Sequence, residues 1–241
     1  RERGKLDWRQ AISIVVQACE GLNAAHQKNV IHRDIKPSNI LIQNAENGDI
    51  SVKLVDFGIA KVLVPDGEDA VKLTQTGDIF GSPLYMSPEQ CSGQKADRRS
   101  DIYSLGCVLY EIITGRPPVQ GANALETINL HLNQIPERLS QATPELQFPD
   151  ELERVVTRML AKDRAQRYQS IMEVQSDLQR LESQFLLPVT DDKNQISKVS
   201  QAIFRKETAL ILISVAVVGT ICLSPAILLP ALGLPALQGF I

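Results

Sequence analysis

The sequence contains few cysteines and no cluster of metal-binding residue types. Only four of its 241 residues are cysteines, and no CxxC pair or Cys/His cluster occurs. This scarcity argues against a disulfide framework and against a structural zinc site, so a reducing compartment is the simpler interpretation. The net charge of −3 gives no electrostatic basis for nucleic-acid binding. We therefore expect no nucleic-acid partner.

Charged residues are absent from the end of the chain, at 208–241. The 21 residues at 209–229 are apolar enough and long enough to cross a bilayer as a helix. Basic residues at 198, 205 and 206 precede this span and no charge follows it, which places the preceding domain in the cytoplasm. We predict a single-pass transmembrane helix at 208–230 with a short extracytoplasmic tail at 231–241. A buried core helix is the alternative.

Apolar periodicity predicts a mainly helical domain before that span. Apolar residues spaced by three and four predict an amphipathic helix at about 7–28, and a run that is apolar nearly all round predicts a central buried helix at 99–114. Other patterns predict short β-like runs at 30–32, 40–43 and 51–57, a long loop at 61–87, and helices at 123–133, 150–161 and 170–182. The polar stretch at 183–207 has the composition of a linker.

The stretch "HRDIKPSN", at 32–39, places charged and amide side chains on a short loop between two apolar runs. A loop fixed in this way can hold a catalytic base rigidly. Asp34 lies in this loop, and the second acidic candidate, Asp56, follows 22 residues later in "DFG". Together with Asn39 they offer the oxygen ligands that suit Mg²⁺ bound to phosphates. Phosphoryl transfer needs such an arrangement, with a carboxylate to take the hydroxyl proton.

Five motifs in order resemble the C-terminal lobe of Hanks-type protein kinases. "HRDIKPSN" resembles the catalytic loop, "DFG" resembles the metal-binding motif, and "SPE" stands where Ala-Pro-Glu is usual. "SDIYSLGCVLYEIITGRPP" resembles the buried helix that follows, and Arg167 in "KDRAQRY" matches the arginine that pairs with the Pro-Glu glutamate. The resemblance covers about residues 6–182. "LTQTGDIFGSPLYMSPEQ" is similar to the activation segment of bacterial membrane-anchored serine/threonine kinases.

The resemblance implies a mainly α fold, helical with short β hairpins around the catalytic loop. It also implies an order of segments along the chain. A partial kinase domain would occupy 1–182, a juxtamembrane linker 183–207, and the transmembrane helix and tail the remainder. The expected localisation is the bacterial plasma membrane, with the kinase domain in the cytoplasm.

The same resemblance assigns roles in the transfer of the ATP γ-phosphate to serine or threonine hydroxyls of proteins. Asp34 would be the catalytic base. Lys36 would neutralise the γ-phosphate, and it marks serine/threonine rather than tyrosine specificity in this family. Asn39 and Asp56 would hold Mg²⁺ or Mn²⁺, and Leu41 would lie beneath the adenine. The expected enzyme is a non-specific serine/threonine protein kinase.

Further positions match regulatory or structural residues of the family. Arg33 would bind a phosphate placed on Thr74, Thr76 or both by a neighbouring copy of the chain, which implies a homodimer for this autophosphorylation. The remaining matches are expected to be structural: His32 as a packed scaffold residue, Ser82 in the substrate groove, Asp101 as an anchor of the catalytic-loop backbone, and Glu89 with Arg167 as a buried pair. No chemistry is expected of His26 or His131.

The sequence also departs from the family pattern. It contains no glycine-rich ATP lid, no strand lysine that contacts the phosphates and no helix glutamate that pairs with that lysine, all of which belong to an N-terminal lobe. Arg164 stands where proline often follows the aspartate. The chain alone is therefore expected to phosphorylate poorly.

Two other functions share some of these features with a kinase fragment. The first is an inactive kinase-like membrane scaffold, against which the intact Asp34, Lys36, Asn39 and Asp56 set argues. The second is a small-molecule phosphotransferase, which shares an Asp…Asn loop. The Ser-Pro-Glu segment and the long preceding loop argue against that reading.

Overall fold

A computed structural model describes residues 5–44, 50–57 and 83–185 of the chain. The described part is mainly helical with one small sheet, as predicted. The helices are α1 (Trp8–His26), α2 (Pro88–Cys91), α3 (Arg98–Thr114), α4 (Ala124–Asn133), α5 (Leu139–Ala142), α6 (Asp150–Met159) and α7 (Ile171–Gln184). The strands are β1 (Ile40–Asn44) and β2 (Ile50–Leu54), and short 3₁₀ turns occur at Pro37–Asn39 and Pro83–Tyr85.

Helix α3 forms the centre of the core, because nearly every residue from Ser100 to Thr114 is buried. Its start is fixed by Asp97, which forms a capping box with Ser100, and its end by Gly115. The φ angle of Gly115 is 78°, a left-handed conformation that glycine adopts without steric cost. Helices α1, α5, α6 and α7 all pack against α3. The prediction of a central buried helix is confirmed.

Helix α1 covers one side of this core. Asp7 caps its first turn by accepting a hydrogen bond from the amide of Arg9. The predicted apolar face is buried, including Ile12, Val15 and Leu22, and the helix packs on α7, β2 and α3. The helical period of the sequence therefore identified the correct face.

The β1–β2 hairpin brings two distant segments of the chain side by side. Its antiparallel register pairs Ile40 with Leu54 and Ile42 with Val52. The loop before Ile40 and the segment after Leu54 consequently leave the hairpin at the same end. The amide of Val55 donates to the carbonyl oxygen of Asn39 at 3.0 Å, which extends the contact beyond the strands.

The predicted β-like run at 30–32 is wrong, because the structure has no strand there. A strand requires a neighbouring strand to pair with its backbone, whereas the amide of His32 donates to the side chain of Asp101 instead. The short helices α2 and α5 were not predicted, since four residues are too few to show a helical period. Of the predicted long loop, only the 3₁₀ turn and the residues that follow it lie in the described part.

Helices α3 and α6 approach each other closely at Gly106. A Cβ atom added to Gly106 would lie 2.9 Å from the Cβ atom of Met159 and 3.2 Å from Cδ2 of Leu160. Real Cβ atoms do not pack this tightly against a neighbouring helix, so only glycine permits this spacing. This contact fixes α6 against the helix that organises the core.

No helix within 5–44, 50–57 and 83–185 has the length and apolar character needed to cross a membrane. The span predicted at 208–230 lies outside the described residues, as do the predicted linker and tail.

Candidate functional site

The backbone of the "HRDIKPSN" loop is held by a buried carboxylate from the central helix. Asp101, in the first turn of α3, is 1% exposed. Its Oδ2 atom accepts the amide hydrogen of His32 at 2.9 Å, and its Oδ1 atom accepts that of Arg33 at 2.8 Å. The structure therefore attaches the start of the loop to the most buried element of the fold.

A histidine to which we assigned no chemistry also contacts this carboxylate. His26 Nε2 lies 2.7 Å from Asp101 Oδ2, and the two side chains are 7% and 1% exposed. His26, in the last turn of α1, therefore provides a hydrogen-bond partner for the buried carboxylate of Asp101. The sequence signal was the position of His26 on the buried face of α1, but apolar periodicity carries no information about its partner.

His32 links the loop to the segment that bears Asp56. Its side chain is fully buried, with Nε2 at 3.1 Å from the carbonyl oxygen of Val55. Its ring lies 4.5 Å from the ring of Phe57, centroid to centroid. His32 thus packs as a scaffold residue between the two segments.

Two residues of the site have a left-handed backbone. The φ angles of Arg33 and Asp56 are 62° and 54°, a region that non-glycine residues rarely occupy. Such strain persists only where the surrounding contacts impose it, and it concentrates at functional sites. The residue that precedes Asp34 and the acidic residue of "DFG" are both held in this way.

Two polar side chains of the loop converge on Asp34. Asn39 is 3% exposed, and its Nδ2 group donates to the backbone oxygen of Asp34 at 2.8 Å and to its Oδ2 atom at 3.2 Å. Lys36 Nζ lies 3.3 Å from the same Oδ2 atom. The carboxylate is therefore fixed in place and sits beside a cation, with about a quarter of its side chain exposed to solvent. A carboxylate held in this way can accept a proton from a bound hydroxyl.

The oxygen ligands predicted for a divalent cation lie on adjoining segments. The amide of Val55 is hydrogen-bonded to the carbonyl oxygen of Asn39 in the loop, and Asp56 follows Val55 directly. Asp56 is exposed. The Nδ2 group of Asn39 donates to Asp34, and its Oδ1 atom accepts a long hydrogen bond of 3.4 Å from the Ser38 hydroxyl. An amide oxygen and a carboxylate are hard donors that fit Mg²⁺.

The described ranges contain no group of three His, Cys, Asp or Glu residues that could hold a metal ion. Two protein oxygen donors completed by substrate phosphates are the usual Mg²⁺ arrangement at phosphoryl-transfer sites.

Leu41, the candidate for contact with adenine, is half-buried on β1 opposite Lys53. Thr74, Thr76 and Ser82 lie outside the described residues.

A buried ion pair connects α2 to the core next to the loop. Arg167 Nη1 and Nη2 contact the two carboxylate oxygens of Glu89 at 2.8 and 2.9 Å, and Ser100 Oγ donates to Glu89 Oε1 at 2.6 Å. Burial raises the pKa of Glu89, but the hydrogen bonds and charge of Arg167, together with Ser100, outweigh it and hold that pKa below its usual value. The other N–H groups of Arg167 donate to the carbonyl oxygens of Arg99, Ala161 and Lys162.

The second histidine without an expected role belongs to a buried network. His131 Nδ1 lies 2.9 Å from the hydroxyl of Tyr103, to which Lys162 Nζ donates at 3.0 Å. Burial, followed by the nearby charge of Lys162, lowers the pKa of His131 to about 4. His131 is therefore neutral at physiological pH, and its role in the structure is to anchor α4 against α3.

Comparisons with known proteins identify relatives of this chain. The protein kinase domain family matches residues 1–178. The serine/threonine-protein kinase PknB of Mycobacterium leprae is 43% identical over 180 residues, which are 75% of this chain and 27% of that protein. A probable serine/threonine-protein kinase PknB of Corynebacterium glutamicum is 41% identical over 174 residues, 71% of this chain and 26% of that protein.

The fold is also found among solved structures. A crystal structure of the Mycobacterium tuberculosis PknI kinase domain has a TM-score of 0.52 and 26% sequence identity. The match covers 73% of this chain and 56% of that one. The chain spans about a quarter of the length of the curated relatives described above.

The buried pair gives a prediction about stability. Replacing Arg167 with methionine leaves the Glu89 carboxylate buried without its counter-charge, so the free energy of unfolding should fall by about 3–5 kcal/mol. The control is Arg180→Met, because Arg180 forms an exposed pair with Asp177 and its side chain is 65% exposed. That change should cost less than about 1 kcal/mol. Urea unfolding followed by circular dichroism measures both, and equal losses would contradict the assignment.

Proposed function

Because this chain belongs to the protein kinase family, we propose that it provides the C-terminal lobe of a serine/threonine protein kinase. The observation that carries the proposal is the convergence of Lys36 and Asn39 on the carboxylate of Asp34. A scaffold protein has no chemical need for a carboxylate that is contacted by both a cation and an amide of the same loop. The proposed substrates are ATP and the serine or threonine hydroxyls of proteins.

The proposed reaction is an in-line phosphoryl transfer. Asp34 accepts the proton of the substrate hydroxyl while the oxygen of that hydroxyl forms a bond to the γ-phosphorus of ATP. The bond between the γ-phosphorus and the β–γ bridging oxygen breaks, which releases ADP. Lys36 stabilises the charge on the transferred phosphoryl group. Asn39 keeps the Asp34 carboxylate in position and, with Asp56, would hold Mg²⁺ or Mn²⁺. The bound cation neutralises phosphate charge.

The first test removes the proposed base. When the chain is joined to an N-terminal kinase lobe, Asp34→Asn should lower kcat at least about 100-fold, because an amide cannot take the proton. Nucleotide affinity should change little. The matched control is Asp150→Asn, an exposed aspartate in the first turn of α6, which should leave kcat unchanged. Turnover by purified Asp34→Asn protein near that of the wild type would refute the role of Asp34.

The chain is also proposed to be membrane-anchored. The support is the uncharged span at 208–230, with basic residues only on its N-terminal side. In this arrangement the kinase lobe lies in the cytoplasm and residues 183–207 form the juxtamembrane linker.

The membrane test compares the chain with a version that ends at residue 207. The full chain should remain in the membrane pellet after a carbonate wash, because the span is held by burial of apolar surface rather than by charge. The shortened version should be released into the supernatant. Release of both versions, without detergent, would show that the span is not an anchor.

Arg33 is the proposed sensor of activation-segment phosphorylation. Its backbone amide is bound to Asp101, whereas its side-chain Nε atom is buried without a hydrogen-bond partner among the described residues. A buried guanidinium nitrogen without a hydrogen-bond partner favours an anionic ligand. A phosphate can accept two parallel N–H hydrogen bonds from one guanidinium group. The proposed carriers of that phosphate group are Thr74 and Thr76, which accept it from ATP in a reaction catalysed by a second copy of the chain.

The regulatory test changes both threonines. In the complete kinase, Thr74→Ala with Thr76→Ala should lower activity at least about tenfold, since the phosphate that would pair with Arg33 is lost. Phosphopeptide mapping of active wild-type kinase should find phosphate on one or both residues. Thr157→Ala, which removes an exposed threonine on α6, serves as the control for the loss of a threonine hydroxyl at another site. Full activity of the double variant, with no phosphate mapped to either threonine, would overturn this mechanism.

A further inference from the structure

The side chain of Gln90 bridges α2 and the candidate catalytic loop. Its Oε1 atom accepts the amide hydrogen of Ser87 at 3.1 Å and the hydroxyl of Ser87 at 3.0 Å. Its Nε2 group donates to the backbone carbonyl oxygen of Arg33 at 2.8 Å. One amide group therefore caps its own helix and binds a residue 57 positions away in sequence.

This second bond completes a clamp around Arg33. The amide of Arg33 donates to Asp101 Oδ1 at 2.8 Å, and its carbonyl oxygen accepts from Gln90 at the same distance. The peptide groups on both sides of Arg33 are thus held by side chains from different helices. These two bonds explain how a non-glycine residue keeps a φ angle of 62°.

The clamp acts on Asp34 through the chain. The carbonyl group that Gln90 binds belongs to the peptide between Arg33 and Asp34, so its orientation sets the direction in which the Asp34 side chain leaves the backbone. Rotation of that peptide would move the Asp34 carboxylate away from Lys36 and Asn39. We propose that Gln90 is a positioning residue for the catalytic base, a role that rests on the function proposed above.

The residue type supports this role. A capping box is formed equally well by glutamate or glutamine, because helix capping needs only an acceptor at this position. Only glutamine also supplies an N–H group for the carbonyl of Arg33. Glutamate would place a carboxylate oxygen against the carbonyl oxygen of Arg33, and two acceptors cannot form a hydrogen bond. A glutamate at this position would therefore keep the cap and lose the bond to the loop.

Gln90→Glu is therefore the test, with Ser87→Ala as its control. Gln90→Glu keeps the cap and loses the bond to Arg33. In the complete kinase, kcat should fall about tenfold, with KM for ATP unchanged within about twofold and the midpoint of thermal unfolding lowered by no more than a few degrees. Ser87→Ala weakens the cap but keeps Nε2 on Arg33. Its unfolding midpoint should drop by a few degrees while kcat stays within about twofold.

Hydrogen exchange in this chain provides a measurement that does not depend on turnover. In Gln90→Glu the amide of Arg33 should exchange at least about tenfold faster than in the wild type, while the amides of α3 remain equally protected. Unchanged exchange at Arg33 would overturn the proposal. An equal fall of kcat and of the unfolding midpoint in both variants would also overturn it, because that result indicates capping alone.

Asp34→Asn, assayed in the same series, distinguishes failure of this inference from failure of the proposed function. If Asp34→Asn is inactive and Gln90→Glu is fully active, the positioning role alone is wrong. If Asp34→Asn keeps its activity, the base assignment falls and the positioning role falls with it.

Discussion

The buried carboxylate of Asp101 is the interaction on which the site depends. A carboxyl group buried inside a protein must have hydrogen-bond partners, and this one is satisfied by two backbone amides of the loop and by His26. The loop in turn gains a fixed backbone at the residue before Asp34. The requirement of the carboxylate for donors and the requirement of the loop for rigidity are met by the same bonds.

The Arg167–Glu89 pair acts on the neighbouring element in a similar way. Buried ion pairs contribute little net stability relative to apolar packing, but they tolerate almost no change of geometry. The guanidinium group of Arg167 reaches Glu89 and three backbone carbonyl groups, which holds α2, the start of α3 and the chain before α7 in a single arrangement. The position of α2 also determines where Gln90 meets the loop. The pair therefore helps to fix α2, and with it Gln90, relative to the core.

Much of the fold could be predicted from the sequence, but less of the site. Helices α1 and α3 lie close to their predicted bounds, because long segments show a clear helical period. The residues around Asp34 were found by their motif and their spacing. The contacts of His26 and Gln90 were missed, because each joins side chains to groups that only the tertiary fold brings near. The run at 30–32 was misassigned for the same reason, since its backbone partner is a side chain of α3.

The bonds that hold the loop join residues far apart in the chain. His32 and Asp101 are separated by 69 positions, and Glu89 and Arg167 by 78. Contacts of this range form only after much of the chain has been ordered, which slows folding. During synthesis the loop is made long before α3, and α3 before Arg167. A growing polypeptide that already contains Asp34, Lys36 and Asn39 therefore lacks the fixed loop until Arg167 and the last helix have been made, so unfinished chains carry the motif without its geometry.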